Sequence, residues 1–225
     1  MKKDSDTMNT IIFDLDGTLS DSAEGIVKSI NYALKKLGCD EQPPEDLLDC
    51  IGPPLNFSFA RLTGRKNEEY LLKAVKAFRE RYFEKGYMEN TLYDGIKDIL
   101  TGLKEEGNIL CIATTKRKDI AEEVLKYFKI DGFFTQVHGG DIYRKKADLL
   151  RDIINDPDLG NNPLIMIGDR NTDFEAASEV NMPSIAVRWG YGNEDELRLA
   201  TCIAESPPEL PGLIYKNARR IKKEE

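Results

Sequence analysis

Five short, largely apolar runs punctuate the chain: TIIFDL at 10–15, ILCIAT at 109–114, FFTQVH at 133–138, PLIMIG at 163–168 and PSIAVRW at 183–189. From the second onward they alternate with stretches whose apolar positions recur at three-to-four spacing: DGIKDILTGLKEEG, RKDIAEEVLKYF, KKADLLRDII and TDFEAASEV. A strand that is apolar at nearly every position has both faces covered, so the pattern predicts a parallel sheet with helices on each side. The expected fold class is α/β, with a doubly wound, Rossmann-like parallel sheet as its core.

One interval breaks the alternation. About 90 residues separate the first run from the second, far more than a simple crossover needs, and no strand pattern stands out among them. SAEGIVKSINYALKKLG reads as a helix with Ser22 or Asp21 as its N-cap candidate and Gly38 at its close. PPEDLLDCIG reads as a shorter helix, and NEEYLLKAVKAFRERYFEKG as a long amphipathic one ending at Gly86. The expected organisation is therefore a helical domain over residues 19–90, inserted after the first strand, and a core built from residues 1–18 and 91–225. The ends, MKKDSD and RRIKKEE, are expected to fray.

A chain of 225 residues can bury a full core. Its formal net charge of -8 argues against nucleic-acid or anionic-membrane partners, which call for clustered Lys and Arg. The polar amino terminus has no apolar segment behind it, and no run approaches the roughly 18 apolar residues of a membrane helix, so the expected location is the cytoplasm. Cys39, Cys50, Cys111 and Cys202 are scattered, with only His138 to complete a metal set, which predicts free thiols.

The chemistry-bearing residues follow the apolar runs. After the first come Asp14, Asp16, Gly17 and Thr18; after the second, Thr114, Thr115 and Lys116; before a later helix, Lys145 and Lys146; after the fourth, Gly168, Asp169 and Asp173. In a doubly wound sheet the carboxyl ends of the strands face one crevice, so these four groups would converge. Carboxylates crowded together require protons or a cation, and oxygen ligands select a hard ion such as Mg²⁺. A hard cation, a lysine and strand-end hydroxyls and amides are what a phosphoryl group in transfer needs.

DLDGT after a strand, the Thr of ATTK, a lysine of RKKAD and GDRNTD, in that order, resemble the four motifs of the haloacid dehalogenase superfamily. DGTLSDS, GPPL and WGYGNEDEL are similar to its phosphoglycolate phosphatase-like branch. The resemblance implies an enzyme, a Mg²⁺-dependent phosphatase of small phosphorylated metabolites with a helical cap. In those terms Asp14 attacks phosphorus and Asp16 moves protons. Thr114, the backbone amide of Thr115 and Lys116 meet the substrate, and Lys146, preferred over Lys145 because it directly precedes Ala-Asp and a helical apolar pattern, neutralises charge. Asp14, the backbone carbonyl of Asp16, Asp169 and Asp173 serve the metal. The rigid turn Gly52, Pro53, Pro54 and Leu55 faces the site and helps select substrate. Asn commonly stands where this chain has Thr115. The nearest substrates are 2-phosphoglycolate or a nucleoside 5′-monophosphate, and the expected state is a monomer or weak homodimer. The alternatives are a phosphoglucomutase-like transferase and a phospho-acceptor signalling module.

Other motif readings fail. DRNTDF begins like a calcium loop, but Phe174 replaces the needed Gly and Val180 the needed Glu. GLKEEGNI has P-loop glycine spacing without the Lys and Ser/Thr, and reads as a helix end and turn. No G-x-S-x-G occurs, and one histidine cannot make H-E-x-x-H.

Overall fold

The computed structural model describes residues 8–140 and 143–221. Six parallel strands form the main sheet: β1 (Thr10–Phe13), β4 (Ile109–Thr114), β5 (Phe134–Gly139), β6 (Leu164–Gly168), β7 (Ser184–Val187) and β8 (Cys202–Ala204), in spatial order β5-β4-β1-β6-β7-β8. The chain runs outward from β1 through β4 to β5, then crosses back to build β6, β7 and β8 on the other side. Strand order therefore reverses between β1 and β6, where the register pairs Phe13 with Ile167 and where such sheets bind ligands.

The two faces explain why the strands do not alternate in polarity. Ile11, Phe13, Ile112 and Ile167 point into one buried cluster with α5 (Ile96–Glu105), α6 (Lys118–Tyr127) and α10 (Leu210–Asn217). Ile12, Cys111 and Met166, their neighbours along the strands, point into a second cluster with α7 (Lys146–Asn155) and α8 (Asn171–Glu179). Successive side chains thus enter opposite cores, and an apolar residue is required at each position.

Between β1 and β4, α1 (Ala23–Lys36), α2 (Pro44–Leu47), α3 (Leu55–Thr63) and α4 (Glu68–Glu84) share a further apolar cluster, which Ile120 of α6 also enters. Ile26, Ile30 and Leu34 of α1 pack on Ala74, Phe78 and Tyr82 of α4. Asn67 caps α4 through a side-chain bond from Tyr70 N at 3.0 Å. At α1 the N-cap position is Ser22, but the carboxylate that accepts from Ala23 N, at 3.1 Å, is that of Asp21.

Several elements differ from the sequence expectation. The insert is framed by a two-residue antiparallel pair, β2 (Ser20–Asp21) with β3 (Thr91–Leu92), too short to show any periodicity. PPEDLLDCIG supplies a four-residue helix and a 3₁₀ turn, while α3 and α9 (Glu194–Leu197) lie where no helix was expected. The expected frayed ends fall mostly outside the described residues. Arg219, however, is tied down by backbone bonds with Leu164 of 2.8 and 3.3 Å. The four cysteines are free, and no helix among the described residues is long and apolar enough to cross a membrane.

Candidate active site

Each motif residue owes its position to the turn that follows its strand. Asp14 continues β1, its amide bonded to Ile167 O at 2.8 Å. The chain then closes a tight loop, with Leu19 and Ser20 amides on Leu15 O and Gly17 N on Ser20 O. Gly17 has a φ of +83°, and a β-carbon there would collide with the Asp169 carboxylate. The glycine thus meets two requirements, a left-handed backbone and close passage over a site residue.

Asp169 and Asp173 follow β6. One Asp173 oxygen accepts from the amides of Asp169 (3.1 Å) and Arg170 (3.0 Å), fixing the turn into α8. The other faces the Lys146 ammonium. Asp169 accepts from Tyr191 N at 2.8 Å and from the Thr18 hydroxyl at 3.3 Å. Lys146, the first residue of α7, lies 2.9 Å from Asp14 Oδ1. Lys145 is exposed, so of the two lysines it is Lys146 that reaches the cluster.

One ammonium therefore serves two carboxylates, with a third beside them. Burial is the main cause that pushes Asp14 up to about 6; Lys146 opposes it, and Asp173 adds to it. Burial, then Asp173 and Asp14, hold Asp169 well above the carboxylate range. For Lys146 burial acts against the charge, but Asp14 and Asp173 outweigh it and its pKa is raised. Ligand oxygens of Asp14, Asp169 and Asp173 all lie within 4.8 Å of one another. A buried set with more anionic than cationic groups, all hard oxygens, fits a divalent cation such as Mg²⁺.

Thr114 ends β4 buried, its Oγ1 accepting from Lys116 N at 3.3 Å. Lys116 Nζ lies 2.9 Å from Asp16 Oδ2 and 3.0 Å from the Tyr82 hydroxyl of α4. Asp16 Oδ1 is buried without a hydrogen-bond partner. Thr115 directs its hydroxyl to Gly52 O, at 2.9 Å, on the insert. Gly52, Pro53, Pro54 and Leu55 line a cavity of about 80 Å³ together with Asp16, Thr115 and Lys116. The structure thus places Asp14, Lys146, Asp169 and Asp173 in one cluster, and the Gly52–Leu55 turn against Asp16, Thr115 and Lys116.

Two participants carried no signal of their own. Arg170 bridges sheet and insert, and Tyr191 connects Asp169 to the strand entering the insert, its hydroxyl bonded to Asp21 Oδ1 (2.7 Å) and Ser22 N (2.8 Å). The only hint was position: Arg170 lies inside GDRNTD and Tyr191 inside WGYGNEDEL. His138 bonds Gln136 on β5.

A doubly wound α/β fold with a carboxylate and lysine cluster at the strand-order reversal defines a class of enzymes that act on small ligands at strand ends. Residues 11–187 match the family described as haloacid dehalogenase-like hydrolase, and the chain belongs to it. It is 38% identical over 191 residues to a 5′-nucleotidase of Pseudomonas aeruginosa, covering 84% of this chain and 86% of that one. It is 33% identical over 189 residues to a tyrosine-protein kinase of Mycobacterium tuberculosis, covering 82% of this chain and 64% of that protein. Identity to a phosphoglycolate phosphatase of Aquifex aeolicus is 30% over 188 residues, 82% of this chain and 86% of the relative. The crystal structure of a predicted phosphatase from Clostridium acetobutylicum superposes with a TM-score of 0.87 at 36% identity, over 93% of this chain and 99% of that one.

Proposed function

We propose that the protein is a Mg²⁺-dependent phosphatase that hydrolyses a small-molecule phosphomonoester through an aspartyl-phosphate, with residues 19–90 as a cap domain over the site. The observation that carries this reading is the buried cluster at the reversal point, in which the Lys146 ammonium pairs with both Asp14 and Asp173 and Asp169 lies beside them. Relatives named as phosphoglycolate phosphatase and 5′-nucleotidase support it.

In this reading an Asp14 oxygen attacks phosphorus, splitting one displacement into two easier steps. Asp16 first gives a proton to the leaving oxygen and then takes one from the attacking water. Its unpartnered Oδ1, on the carboxyl group whose Oδ2 lines up with Lys116, is the free atom available for this. Lys146 and the Thr114 hydroxyl offset charge on the phosphoryl oxygens. Asp14, the carbonyl of Asp16 and Asp169 would hold Mg²⁺, and Asp173 would steady Lys146 and the Asp169 turn. When bound, the cation supplies charge neutralisation at the transferring group. The Gly52–Leu55 turn selects the leaving group.

The test is release of inorganic phosphate from 2-phosphoglycolate, nucleoside 5′-monophosphates, sugar phosphates and p-nitrophenyl phosphate, with Mg²⁺ or EDTA, by wild type and Asp14→Asn. Mg²⁺-dependent release that falls at least about a thousandfold in the variant is expected. Phosphate reaching a sugar or a tyrosine hydroxyl instead of water would replace hydrolysis by transfer. Release unaffected by the substitution would remove Asp14 from the reaction.

A further inference from the structure

Arg170 follows Asp169 directly, yet its side chain leaves the carboxylate cluster. Its Nη1 donates to Ile51 O at 2.9 Å, and its Nε pairs with Glu196 Oε1 at 3.1 Å. Glu196 is fixed in turn, its other oxygen accepting from Asn193 N at 3.0 Å. On the opposite side of the same turn, the Thr115 hydroxyl donates to Gly52 O at 2.9 Å. Two consecutive carbonyls of the insert, 51 and 52, are thus each held by a core side chain. One comes from the loop after β4 and the other from the loop after β6. Gly52 has a φ of +102°, and a β-carbon there would press on the Arg170 stem.

From this arrangement we infer that Thr115 and Arg170 form a latch on the 51–52 turn of the insert, separate from the Lys116–Tyr82 contact, and so are positioning residues for the turn that selects substrate. This inference rests on the phosphatase reading only for its kinetic consequence. Both acceptors are main-chain atoms, so the latch uses none of the side chains of Pro53, Pro54 and Leu55, which remain available to the leaving group. Adjacent carbonyls gripped from two loops fix both the height and the rotation of the turn. The counter-charge of Arg170 belongs to the core, so opening breaks a bond to a neutral carbonyl and leaves the Arg170–Glu196 pair intact. Such a contact can form and release in each cycle, unlike a buried ion pair across the interface. The hydroxyl at position 115 has a role in this scheme: it faces the insert.

The experiment is amide hydrogen exchange of the whole protein, read for residues 48–60 against those of β1 and β6, with Tm, kcat and KM measured on the same samples. Thr115→Val should accelerate exchange in 48–60 by roughly tenfold, the scale of one net hydrogen bond, and leave β1 and β6 at the wild-type rate. KM should rise by a larger factor than kcat falls. Thr115→Ser keeps the hydroxyl and should restore slow exchange. Arg170→Met should exceed Thr115→Val, because its bond is charge-assisted; if it does not fold, the Thr115 pair carries the test. Unchanged exchange in Thr115→Val, or acceleration spread equally through the sheet, overturns the latch. Local acceleration without phosphatase activity in any form, wild type included, would uphold the latch and refute the phosphatase reading.

Discussion

The strand-end cluster and the cavity beneath the Gly52–Leu55 turn lie a few residues apart and are built in opposite ways. Asp14, Asp169, Asp173 and Lys146 are buried, and each side chain is bound to another member or to a strand-end amide. Pro53, Pro54 and Leu55 are half-buried, and their turn is held through two backbone carbonyls. Charge that is fixed in place stabilises a transition state without reorganising. In the proposed reading the turn is a selecting surface, which has to admit and release different leaving groups, and few contacts make that possible.

The comparison can be broken most severely at Lys146. Lys146→Met leaves three buried carboxylates without their ammonium, so stability without metal should fall by about 3–5 kcal/mol, the usual cost of removing one partner of a buried pair. Mg²⁺ should restore part of the loss, which chemical denaturation with and without EDTA would measure. A loss below about 1 kcal/mol in EDTA would mean that the cluster is less anionic than its geometry indicates.

A second difference is in pH dependence. Burial raises Asp14 from 3.8 to about 6, so between these values the folded protein binds more protons than the unfolded chain. Stability then decreases as pH rises through that window, by roughly 3 kcal/mol from Asp14 alone, and Asp169, shifted in the same direction, extends the decline upward. In EDTA, wild type should lose stability relative to Asp14→Asn between about pH 4 and pH 7, and excess Mg²⁺ at pH 7 should close the gap. Parallel curves for the two proteins would contradict the assignment. The smallest effect belongs to the turn. Leu55→Ala should change the ranking of substrates by about three- to tenfold in kcat/KM while stability stays within about 1 kcal/mol.

Much of this contrast was legible in the chain. Strands buried on both faces announce themselves as apolar runs, and carboxylates at their ends are visible because side-chain type is what a sequence records. The preference for Lys146 over Lys145 came from the helical pattern that follows it, and the first turn of α7 buries the one and exposes the other. β8 escaped notice because Cys202–Ala204 is three residues long and follows a polar stretch. β2 and β3 escaped because two-residue strands exist only through a partner some 70 residues away. The bonds of Thr115 and Arg170 were illegible for another reason: their acceptors are carbonyls, which every residue has, brought close by tertiary folding.

That same β2–β3 pair has a consequence for the history of the fold. Asp21 and Thr91 are direct neighbours in an antiparallel ladder, so the segment between them leaves and re-enters the core at nearly one point, about 5 Å across. An embedded segment whose ends nearly touch can be lengthened, shortened or exchanged as a cassette without moving a strand of the parent sheet. Under the phosphatase reading proposed above, recombination at this junction would deliver a new substrate repertoire to an unaltered strand-end cluster in a single genetic event.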